Sequence, residues 1–113
     1  MNKGLLAALL LAVTIGTVGV ASTASANDGA GIYKARCIAC HGAAGKGTAM
    51  APGFAGSEYI TSSTEADITG VILNGRNGAA KKYKKFALGM PPIKLGEADM
   101  KALVAHLKAL AAK

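Results

Sequence analysis

An all-α fold is the architecture this 113-residue sequence predicts. Apolar residues recur at three- and four-residue spacing in three segments, and no run shows the alternation of a strand. Between the periodic segments lie stretches rich in glycine and proline, which interrupt regular structure and form loops.

The first 26 residues stand apart from the rest. Met1-Asn2-Lys3 is a short basic start, residues 4–20 are uncharged and mainly apolar, and Ala24-Ser25-Ala26 is a small-x-small cleavage sequence. Residues 1–26 are therefore predicted to be a secretory signal peptide, with export to the periplasm. The apolar run is long for such a leader, and an uncleaved membrane anchor is the alternative. Residues 27–113 are expected to form one small domain with a thin core, so a large apolar cofactor would add much of its buried surface. Without Lys3, the 13 Lys and Arg residues become 12 against 6 acidic ones, a formal charge of +6.

Asp28 is a candidate N-cap for a first helix, along which Gly29, Ile32, Tyr33 and Cys37 recur on one side. Residues 42–57 hold five glycines and one proline, a composition that predicts an irregular loop able to wrap one edge of a flat ligand. Ser62, Ser63 and Thr64 are alternative caps for a second helix, with Glu65 and Asp67 in its first turn and Ile68, Val71 and Ile72 facing inward. Asn74-Gly75 ends it. The last helix follows Gly96, a permissive N-cap. Met100, Leu103, Val104, Leu107 and Leu110 or Ala111 form its apolar stripe. Its natural partner is the first helix, where Gly29 either lets two backbones cross closely or is an ordinary residue at a frayed end.

The chemistry is concentrated in Cys37-Ile38-Ala39-Cys40-His41. Cys-x-x-Cys-His is the pattern of covalent haem attachment: two thiols on one short turn reach the porphyrin vinyl groups, and the adjacent imidazole offers a nitrogen to the iron. A redox disulfide is the main alternative, although such pairs usually follow a strand in a βαβ unit and none precedes this one. Structural zinc would need two further ligands, and the only other histidine is His106.

Iron held by His41 leaves a sixth position. Met90 is the first candidate, because it sits in Ala87-Leu88-Gly89-Met90-Pro91-Pro92, where two prolines stiffen the segment and can hold a weak thioether ligand in place. Met50, a lysine or no protein ligand are the alternatives. Met100 falls on the last helix's apolar stripe and reads as core.

These residues together resemble the class I cytochromes c of the small, soluble, single-haem bacterial kind. The resemblance covers residues 27–113 and rests on Gly29 and Tyr33, Cys37 to His41, Pro52-Gly53-Phe54-Ala55-Gly56, Gly89 to Pro92, and Leu103 to Leu107. It implies three to five helices around one covalent haem c, with the terminal helices crossing. It also implies that the Pro52 carbonyl accepts a hydrogen bond from His41 and fixes its ring. His106 stands where the family often has an aromatic residue and reads as a packing or surface histidine. Gly96 stands where relatives often carry a serine or threonine cap. Tyr59 and Arg76 are candidate partners of the haem propionates, with a surface position the simpler reading of Arg76.

Nitrogen and sulfur on the two faces of iron leave no vacant position, which predicts an electron carrier rather than an enzyme. Lys81, Lys82, Lys84 and Lys85 would steer it toward acidic redox partners, or else form a solvated face from which Tyr83 and Phe86 pack inward. A haem-bearing electron-entry subunit of a periplasmic dehydrogenase or oxidase is the rival reading. Peroxidases leave iron open or use a second haem, and four-helix gas-binding cytochromes carry the motif near the C-terminus. Nucleic-acid binding by the lysine run is excluded by export.

Overall fold

The computed structural model describes residues 28–113 and, ahead of them, Gly16 alone. The expected leader therefore lies outside the described residues apart from that one glycine. Among the described residues no helix is long and apolar enough to cross a membrane.

Among the described residues five α-helices follow one another: α1 (Gly29–Arg36), α2 (Ile38–His41), α3 (Glu58–Ser62), α4 (Glu65–Asn74) and α5 (Glu97–Ala111). Single 3₁₀ turns at Ala43–Gly45 and Gly78–Ala80 punctuate the loops. The β-structure among the described residues is one isolated antiparallel bridge, between Arg76 and Met90. The all-α expectation holds.

Local chemistry explains where the helices begin and end. The Asp28 carboxylate accepts from the Ala30 N–H at 3.2 Å, closing the start of α1. Of the three candidate caps for α4, Thr64 is the one used: its hydroxyl accepts from the Asp67 N–H, and the Asp67 carboxylate accepts from the Thr64 N–H in return. This leaves Ser62 and Ser63 to end α3, a short helix that lacks the length to show periodicity. Ser57 caps it, accepting from the Ile60 N–H at 3.4 Å.

The core lies where α5 meets the other helices. Met100, Leu103, Val104, Leu107 and both Leu110 and Ala111 of its apolar stripe are buried, and Leu103 and Val104 are wholly inaccessible. Tyr33 and Cys37 of α1, Ile60 of α3, and Ile68 and Ile72 of α4 complete the cluster. Helix α1 crosses α5 at Gly29, where a β-carbon would lie 2.2 Å from the Ala102 carbonyl oxygen. Gly29 therefore serves the close crossing. His106 packs its ring on Tyr33, with centroids 5.5 Å apart. The crossing fixes α1, and α1 in turn places the attachment motif at its C-terminal end.

Candidate functional site

The motif sits on a tight double turn. Cys37 ends α1, its N–H donating to the Tyr33 carbonyl at 2.8 Å, and at once begins α2, of which His41 is the last residue. The glycine-rich loop then winds back over it. The Gly47 N–H donates to the His41 carbonyl at 2.6 Å, the Thr48 hydroxyl to the Cys40 carbonyl at 2.5 Å, and the Tyr33 hydroxyl to the Gly42 carbonyl at 2.6 Å. The first two bonds tie carbonyls that a four-residue helix leaves unpaired, and the third joins the Gly45 N–H on the Gly42 carbonyl.

His41 is oriented by Pro52. Its Nδ1 lies 2.8 Å from the Pro52 carbonyl oxygen, which can only accept, so Nδ1 carries the proton and Nε2 keeps its lone pair. Burial pushes the imidazole below its usual pKa, and the Pro52 carbonyl only partly offsets this. The ring is thus held as a neutral nitrogen base. Burial acts oppositely on Cys37, whose thiol is pushed up to about 11. Both thiols are free, Cys37 buried and Cys40 half-buried.

Cys37, Cys40, His41 and Met90 all line one cleft, whose walls include Ile68 and Ile72. Met90 is half-buried, and its backbone is secured on both sides. It exchanges two hydrogen bonds with Arg76, at 2.8 and 2.9 Å, and its carbonyl also accepts from the Asn77 side chain at 2.9 Å. Met50 reaches the same cleft from an exposed position, whereas Met100 is buried in the core and is absent from the lining.

Cations gather at one aromatic ring of the cleft. The Arg76 guanidinium lies 4.8 Å and the Lys82 ammonium 4.5 Å from the Tyr59 ring centroid. Arg76 is half-buried there, not spread on the surface. The donor set fits a covalently held porphyrin: two thiols and a nitrogen base on one turn, a thioether in the same cleft, apolar walls, and cations for carboxylates.

The lysine run divides in two. The Lys81 ammonium donates to the carbonyls of Phe86 and Ala87, tying the loop before Met90 to itself. Lys82, Lys84 and Lys85 are exposed. Tyr83 is 42% exposed rather than packed inward, while Phe86 is half-buried and pairs with it in a T-shaped contact.

Several contributors escape sequence reasoning. The Phe54 ring stacks on His41, with centroids 4.4 Å apart and planes inclined by 28°. Asn77, Thr48 and Lys81 act through bonds to backbone carbonyls, which no spacing in the sequence announces.

A family model described as Cytochrome c matches residues 26–111 of the chain. No curated protein and no solved structure matches it.

Proposed function

Because the chain belongs to the cytochrome c family, we propose that it is a periplasmic electron carrier in which His41 and Met90 bind the haem iron. Family membership establishes the covalent haem c and haem-based electron transfer. The finer reading assigns the thioether bonds to Cys37 and Cys40. When bound, the haem supplies a one-electron ferric/ferrous couple.

The observation that carries this reading is the convergence of a neutral imidazole with its Nε2 lone pair free and the Met90 thioether on one apolar cleft. Met90 is favoured over Met50 because its own N–H and carbonyl are paired with Arg76 and its carbonyl also accepts from Asn77, while Met50 is 42% exposed. Arg76, Lys82 and Tyr59 receive the propionates. A closed iron has no site for a substrate, so the chain works as a carrier and not as an enzyme. Pro52 holds the His41 proton at Nδ1 and so keeps Nε2 aimed as the donor, while the Met90 thioether and the apolar walls that exclude water favour ferrous iron and raise the potential. Export rests on the leader-like residues 1–26. An optical spectrum of the oxidised protein tests the ligation. The weak long-wavelength band of thioether sulfur on ferric haem is expected, and its absence would overturn Met90 as ligand.

Lys82, Lys84 and Lys85, with the exposed Tyr83 and the 60%-exposed Leu88 beside them, form the surface that meets acidic-faced redox partners. Lys81, already tied to two carbonyls, contributes less. The rate of electron transfer to an acidic partner should fall steeply between low salt and about 0.15 M, where the screening length shrinks to about 8 Å. Replacing Lys82, Lys84 and Lys85 by glutamine should flatten that dependence, and Lys81→Gln should leave it nearly unchanged. Equal effects from all four would refute the division.

A further inference from the structure

We infer that Phe54 is a positioning residue that fixes the plane of the His41 imidazole, an inference that rests on His41 as the nitrogen ligand. The hydrogen bond to Pro52 holds one atom at the ring's edge. It leaves the ring free to rock about the line from its β-carbon to that bond, because the torsion at an sp³–sp² junction is broad. A second ring lying on its face removes that freedom. Phe54 supplies one, 4.4 Å away centroid to centroid and inclined by only 28°.

Phe54 is itself held from three sides. Its N–H donates to the Gly45 carbonyl at 2.7 Å, and its carbonyl accepts from the Ser57 N–H at 2.8 Å. Tyr33 makes a T-shaped contact with it, with centroids 6.1 Å apart and planes at 69°. Gly45 makes the seat: its φ of 67° is in the left-handed region, and a β-carbon there would lie 2.8 Å from Phe54 Cδ2. The chain from Tyr33 through Phe54 to His41 is thus a continuous aromatic contact that begins in the helix crossing and ends on the imidazole. A ring stacked on one face of the imidazole also narrows the approach of water to that face, and with it to the Nδ1–H.

The test uses the intact haem protein and compares Phe54→Leu, which keeps an apolar side chain without a ring face, with Phe54→Tyr, which keeps the ring. Exchange of the His41 Nδ1–H in the ferrous form, followed by NMR, should accelerate by about twofold to twelvefold in Phe54→Leu, the range of a lost aromatic pair. The order or spread of the haem-methyl shifts in the ferric form should change with it. Phe54→Tyr should restore both, and amide exchange at Leu103 and Val104 should stay at the original rate in each variant, which a merely loosened fold would not allow. Unchanged Nδ1–H exchange in Phe54→Leu, or an equal change in Phe54→Tyr, would overturn the inference. The strongly shifted ring-proton signals of His41 in the ferric form separately judge the ligand reading, since a nitrogen bound to iron shows them in every variant and their absence would mean that His41 is not the ligand.

Discussion

Met90→Ala is expected to abolish the thioether-to-iron band and to lower the reduction potential by roughly 0.2 V, a fraction of the ~0.8 V that axial ligands span. Sulfur favours ferrous over ferric iron, and water or a stronger base in its place reverses that preference. The fold should survive the change. Met90 is anchored through its backbone, by Arg76 on both sides of the bridge and by Asn77 at its carbonyl, and none of these bonds uses the side chain. Met50→Ala should keep both the band and the potential, because Met50 stands exposed in a loop, held only through its N–H to the Thr48 hydroxyl at 3.0 Å. Spectra and redox titrations of the two variants make the comparison. A band that persists in Met90→Ala and disappears in Met50→Ala would move the ligand to the glycine-rich loop.

The second large effect concerns folding. Cys37→Ala combined with Cys40→Ala removes both thioether attachments, and the purified chain is expected to be largely unfolded. The reason lies in the size of the core. It rests mainly on one stripe of α5 and a few residues from α1, α3 and α4, and the cleft between them is lined by apolar side chains that need an occupant to cover them. Small domains hold only about 5–15 kcal/mol of net stability, so exposing that lining consumes most or all of it. Circular dichroism with thermal melting reads the result. A cooperative transition in the haem-free double variant would show that the helices close on their own.

The contrast between what the sequence discloses and what it hides follows from the range of the interactions. Helix α5 was legible because its burial pattern repeats every turn, and the attachment motif because its chemistry needs three residues within five positions. Met90 was legible as a stiffened loop residue, though nothing in the sequence shows that Arg76 and Asn77 hold it. Helix α3 was missed because five residues make too few turns for a period to emerge, and its Ser57 cap reads equally well as loop. Arg76 illustrates the same limit. Its half-burial depends on Tyr59, seventeen positions earlier, which stacks beneath it. Phe54 appeared as one matching residue in a family pattern, and only the folded loop reveals that its ring lies on His41. Lys81 carries the same charge as its three neighbours, and only the fold shows its half-buried ammonium turned back onto two carbonyls, of Phe86 and Ala87, where the exposed Lys84 reaches one, of Ala79.

Exposure of the reduced protein to carbon monoxide at neutral pH tests most directly whether both faces of the iron are closed by this chain. His41 and Met90 together predict no rapid change in the ferrous spectrum, with any binding limited by slow dissociation of the thioether. Immediate formation of the carbon monoxide adduct would demonstrate a vacant position and contradict the account of the protein as an electron carrier.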